Sequence, residues 1–198
     1  MKDIAVYNDY VIKDKKTLKK ILSKEKNIYR QYMYPNLLDY LWGVLKSDNV
    51  IKIMRWQRWA RISSYYDYKY HTTQSIWYLL RYLYAVKHKN IMGNQFGLEL
   101  NTDLINEGLI IYHFNNVINT GSKIGKNCHI HGTVVIGNNG KDNDCPIIGN
   151  NVMIGAGAKV IGPVTIADNI KVAAGAVVVT SFTESGITIG GVPARKLK

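Results

Sequence analysis

Cysteine and proline are scarce in this 198-residue chain, at two and four residues. Cys128 and Cys145 form no Cys-x-x-Cys pair and are too few for a disulfide framework, so a reducing compartment is expected. No group of His, Cys and acidic residues has metal-ligand spacing, and no metal is expected. Long apolar runs are missing as well. The most apolar window, residues 75–86 (SIWYLLRYLYAV), is too short to span a bilayer and contains Arg81. The N-terminal stretch MKDIAVYNDYVIKDKK has no apolar segment of the signal-peptide type. These absences predict a cytoplasmic protein, with a peripheral position at the inner face of the membrane as the one membrane option.

Glycine is scarce in one half only. Residues 1–96 hold two of the 17 glycines, all four tryptophans and 13 of the 14 tyrosines. They also hold 18 Lys+Arg against 7 Asp+Glu, net +11, while residues 97–198 hold 8 against 7, net +1. The composition changes near 93–97, which predicts a helical, basic and aromatic domain over 1–92 and a second domain over 93–198. Helices are expected over 13–26, 37–45, 51–62 and 75–88, with Pro35 interrupting or starting a segment.

The second half is periodic. Stepping by six from Ile118 gives Ile124, Ile130, Ile136, Asp142, Ile148, Ile154, Val160, Ile166, Val172 and Val178, ten aliphatics in eleven slots. A period of six suits neither an amphipathic helix nor an alternating strand. It suits a coil of three short faces per turn that stacks parallel strands into a prism, with one aliphatic per face pointing inward. Ile105 and Ile111 continue the ladder upstream after a one-residue slip at 113–116, so His113 sits where the regular surface is interrupted. Asp142 breaks the ladder inside NNGKDNDCP, residues 138–146, which predicts an extruded loop. The coil is expected to end near Phe182, leaving GGVPARKLK as a basic tail.

The segment IGKNCHIHGTVVIG at 124–137, IGNNVMIGAGAKVIG at 148–162 and GVPAR at 191–195 resemble the hexapeptide-repeat acyltransferases, specifically their serine-acetyltransferase-like branch. The resemblance covers about residues 93–198 and not most of the N-terminal half. It implies an α+β protein with a C-terminal left-handed parallel β-helix. It also implies a homotrimer, with a dimer of trimers as the larger option, whose sites lie between neighbouring prisms and use acetyl-CoA. His113 falls on the family's catalytic histidine. An alcohol is a poor nucleophile at neutral pH, and an imidazole can take its proton as it attacks the thioester. Glu99 matches the acidic residue that orients this histidine if one residue is deleted between 101 and 104; otherwise the position is Leu98.

His131 occupies a place that many sugar-modifying relatives fill with histidine, which leaves acceptor or donor contact and a solvated face both open. The resemblance places Asn116 in the acceptor pocket. Backbone N–H groups around Gly137, Asn138 and Asn139 are candidate donors to the oxyanion. Coenzyme A is expected along Ala156, Ala174 and Gly175, with Lys171, Arg195 and Lys196 near its phosphates. Serine acetyltransferases carry Asp before the catalytic histidine and His before the loop proline; here Tyr112 and Cys145 stand there. Losing a carboxylate aimed at an ammonium removes roughly 1.5–3 kcal/mol, and an aromatic ring suits a sugar face. The sequence therefore favours O-acetylation of a sugar hydroxyl on a surface polysaccharide or its lipid-linked precursor. Serine O-acetylation is the alternative, and a non-catalytic membrane-surface scaffold is a reading of another class. The basic, aromatic stretch 54–89 carries no recognised nucleic-acid module. An anionic membrane surface, or aromatic packing with solvated charges, is expected there instead.

Overall fold

The computed structural model describes residues 11–141 and 143–197, and the chain divides into two compact units between Phe96 and Gly97. The first unit consists of α1 (Lys15–Met33), α2 (Leu37–Lys46), α3 (Asn49–Thr73) and α4 (Ile76–Phe96). The first three begin at side chains that accept from a first-turn N–H: Asp14 from Thr17, Asn36 from Asp39 and Asp48 from Ile51. Pro35 thus precedes a cap and starts a segment. The helix expected over 51–62 runs to Thr73, because no Gly or Pro intervenes and it stops only where Gln74 adopts a left-handed φ of 53°.

Helix α3 packs against each of the other three. It buries Ile53, Trp56, Ala60 and Tyr65. It also buries Arg61, whose guanidinium meets Glu25 of α1 at 2.6 Å with both side chains nearly inaccessible. The Tyr29 hydroxyl donates to Gln57 Oε1 at 2.9 Å, a second buried polar pair, while the Trp56 indole N–H is buried without a hydrogen-bond partner among the described residues.

The second unit is a three-sided parallel coil. One sheet stacks β1 (Leu98–Glu99), β3 (Asn116–Ile118), β6 (Val135–Gly137), β9 (Lys159–Ile161) and β12 (Val177–Val178). A second stacks β4 (Lys123–Ile124), β7 (Ile147–Ile148) and β10 (Thr165–Ile166). The third stacks β2 (Ile110–Ile111), β5 (His129–Ile130), β8 (Met153–Ile154), β11 (Lys171–Val172), β13 (Thr188–Gly190) and β14 (Arg195–Lys196). Ile118 pairs with Ile136, Ile148 with Ile166 and Ile154 with Val172, three hexapeptides per turn. The ten aliphatics of the ladder are all buried, at most 2% exposed.

Two departures from that step shape the surface. Ile124 pairs with Ile148 and Ile136 with Val160, one hexapeptide too many, so residues between β6 and β7 leave the wall as the expected loop. Asp142, read as its ladder break, lies outside the described residues. Ile111 pairs with Ile130, one residue more than three hexapeptides, and this is the slip between β2 and β3.

The coil does not end at Phe182, which bridges to Ile166 while β13 adds another strand to β11. Nor is GGVPARKLK a free tail. Ala194 is buried, and β14 runs antiparallel onto β13, covering backbone groups that an open coil end would leave unpaired.

Candidate active site

His113 lies in the four residues that join β2 to β3, at the corner between the third and first sheets. The extra residue is absorbed there: Asn115 takes a left-handed φ of 62° and Asn116 turns inward. The Asn116 Nδ2 donates to the His113 carbonyl at 2.7 Å, and its Oδ1 accepts from the Val134 N–H at 3.0 Å. One buried amide thereby pins the slip to the next coil. The His113 side chain is exposed, and its Cβ lies 2.8 Å from where a Cβ on Gly132 would stand, so only glycine leaves it room.

Around it the coil assembles a small imidazole cluster. The Tyr112 ring stacks on His131 with centroids 4.6 Å apart and planes 8° apart. The Tyr112 hydroxyl is 2.9 Å from His129 Nδ1. Burial lowers the pKa of His129, aided by neighbouring His131. Burial also lowers that of His131, aided by His113. These shifts favour neutral rings beside the candidate base. His129 did not emerge from the sequence. Its signal was the pattern His-Ile-His, which on a strand points both histidines outward around an inward isoleucine.

Glu99 sits on β1 opposite Val117. It is exposed, whereas Leu98 is 5% exposed and belongs to the core, so of the two positions only Glu99 presents a side chain to the surface. Gly97 stacks over the Asn115 side chain, which brings Glu99 into the first sheet just past the corner that holds His113. Glu99 makes no side-chain hydrogen bond among the described residues.

Below His113 the same corner is lined by small residues. Gly157 N donates to Gly132 O at 2.9 Å, and Gly175 N donates to Ala156 O at 2.8 Å. Ala156, Ala174 and Gly175 are exposed, and a Cβ built on Gly175 would meet nothing within 4 Å. This bare edge has room for an extended donor lying along it. Lys171 and Arg195 are exposed on the third sheet, while Lys196 is engaged with Glu184 at 2.6 Å.

Gly137, Asn138, Asn139 and Cys145 belong to a different corner, between the first and second sheets. Cys145 Sγ is 2.9 Å from a Cβ placed on Gly121, and Asn139 lies over Gly162. In one chain the strand β3 separates this corner from His113. The other cysteine, Cys128, is buried, with its thiol pushed up to about 12 mainly by burial, and it is a core group. Among the described residues no group of three or more His, Cys, Asp or Glu is placed to hold a metal ion.

Residues 145–180 match the family model described as bacterial transferase hexapeptide (six repeats). No curated protein matches the chain in sequence. Among solved structures the chain is similar to a Neisseria gonorrhoeae serine acetyltransferase in complex with serine: 25% identity, TM-score 0.68, covering 93% of this chain and 70% of that one. A second structure of that enzyme gives 26% identity and a TM-score of 0.71 over 93% and 68%. At 21% identity, a Brucella abortus serine acetyltransferase in complex with coenzyme A shares the fold, with a TM-score of 0.69 over 92% and 68%. The likeness of structure covers 93% of the chain and so reaches into the helical half, whereas the family model matches only within the coil.

Proposed function

We propose that this chain, which carries the hexapeptide-repeat acyltransferase fold, is an acetyl-CoA-dependent O-acetyltransferase with His113 as general base. The observation that carries the reading is one edge of the prism: an exposed His113, fixed by a one-residue slip, at the head of a column of small residues. The imidazole takes the proton as the acceptor oxygen bonds to the thioester carbonyl carbon. When the carbon–sulfur bond breaks, the imidazolium passes that proton to the leaving thiolate, which restores the neutral base. Glu99, exposed on β1 just past that corner, is the acid available to orient the imidazole, by a contact not made among the described residues.

A serine-type hydroxyl is the first acceptor to test, because the likeness to serine acetyltransferases runs through both halves of the chain. A saccharide hydroxyl is the second reading, and Tyr112 favours it, since it puts a phenol where serine acetyltransferases carry an acid. One face of that ring is covered by His131 and its hydroxyl is tied to His129, so a sugar could meet the ring only from the side opposite His131. The active assembly is a homotrimer. Its seams bring the His113 corner of one copy to the loop corner of the next.

The test is thiol release from acetyl-CoA with L-serine and with oligosaccharides, beside His113→Ala. The variant should lose about 10²- to 10⁴-fold in rate. Turnover with serine alone selects the first reading, turnover with sugar alone the second. Equal thiol release by wild type and variant with every acceptor would remove the enzyme reading.

A further inference from the structure

Helix α4 carries an outer face of large apolar side chains that stay more than half exposed, although Tyr84 also meets Trp59 of α3 edge-on at 5.7 Å. Ile76, Trp77, Leu80, Leu83, Tyr84 and Ile91 are each between 52% and 70% exposed. With about 3.6 residues per turn they fall on one stripe, ~22 Å long. The helix holds to its own unit by the opposite side, where Ala85 and Gly93 are buried.

The charges on α4 are one-sided. It carries Arg81, Lys87 and Lys89 and no Asp or Glu. Lys87 is exposed within the apolar stripe, and Arg81 is exposed at its margin, 5.9 Å from the Tyr66 ring. The half of the chain to which α4 belongs holds 18 basic against 7 acidic residues. A second copy of this face would bring cations of one sign together with no carboxylate of α4 to pair them. An anionic bilayer accommodates both features. Its acyl boundary takes the stripe, its headgroups meet the cations, and Trp77 and Tyr84 suit the depth between.

We infer that α4 is an interfacial helix that docks this protein on an anionic lipid surface. It lies in the surface and does not cross it; no described helix is long and apolar enough to span a membrane. Helix α2 also exposes leucines and Trp42, but it carries one acid, Asp39, and one base, Lys46. It lacks the electrostatic half and serves as the control.

The full chain is mixed with vesicles of phosphatidylcholine, alone or with about 30% phosphatidylglycerol, and bound protein is separated by sedimentation. Binding is expected with the anionic vesicles at low salt and is lost near 0.5 M salt. K87E should weaken it about fivefold or more, the effect of one cation at such a surface. W77S/L80S should abolish it, with melting temperature and solution mass unchanged, while Trp42→Ser leaves it intact. The inference is overturned by failure to bind anionic vesicles at low salt, by equal binding to neutral vesicles, or by K87E binding like wild type. A fall in the solution mass of W77S/L80S would also overturn it, because the stripe would then be a contact between copies. None of these readouts depends on acetyl transfer.

Discussion

The Tyr112 ring stacks on His131 and its hydroxyl meets His129 Nδ1 at 2.9 Å, which buries part of both imidazoles. Both imidazoles have their pKa lowered in the folded chain from an ordinary value of 6.5. As pH falls through that value the unfolded chain takes up protons before the folded one. The stability these rings permit is therefore present above about pH 6.5 and declines below it, until the folded rings protonate too. Urea midpoints measured from about pH 7.5 to about pH 5 should fall, and fall less in H129Q/H131Q. A flat wild-type profile would show that the cluster does not resist protonation. Of these residues, His113 was legible because it sits at a break in a regular ladder. His129 was not, because His-Ile-His marks only which side chains face outward, and the partner that gives it a place in the cluster, Tyr112, lies a whole coil away.

The elements obey the six-residue rule wherever glycine lets coils touch. A Cβ on Gly155 would come within 2.6 Å of Ala174 N, a backbone atom of the next turn that cannot rotate away. Gly175 has a φ of 70° and open space around its missing Cβ. Gly155→Ala should thus cost about 1–3 kcal/mol by overpacking. Gly175→Ala should cost only the left-handed strain of about 1–2 kcal/mol, with no coil displaced. Denaturant midpoints and the crystallographic spacing of β8 and β11 would separate the two. Equal costs with no shift in spacing would mean that the coil absorbs a methyl at Gly155 and that overpacking is not what keeps that position bare. The helices were less legible. Expected segments over 51–62 and 75–88 ended too early, since α3 and α4 continue for as long as no breaker stops them and interior packing rewards the added turns.

Across the whole molecule, the candidate groups occupy two corners of one prism, His113 on one and Gly137, Asn139 and Cys145 on the other. If the seam between copies unites them, two different lesions should rescue each other. Removing residues 139–144 takes out six residues and restores the eighteen-residue step of the coil, so this variant should fold and lose activity. Co-refolded with His113→Ala, it should recover roughly a quarter of wild-type turnover, the statistical share of seams that pair an intact histidine with an intact loop. No recovery from mixtures of the expected mass would place a complete site within each chain.

The coil, its inward ladder, the loop after β6 and the slip at His113 follow from the order of residues alone, because each depends on residues at fixed short spacing. The tertiary structure decided what spacing cannot encode. It stacked the Tyr112 ring on His131 and set its hydroxyl against His129 of the next turn, folded 191–197 back onto the open end, and turned an apolar stripe of α4 to the surface. Which residues meet across coils, and which helix face is left uncovered, depends on how complete elements pack, and that is settled only when the chain has closed on itself.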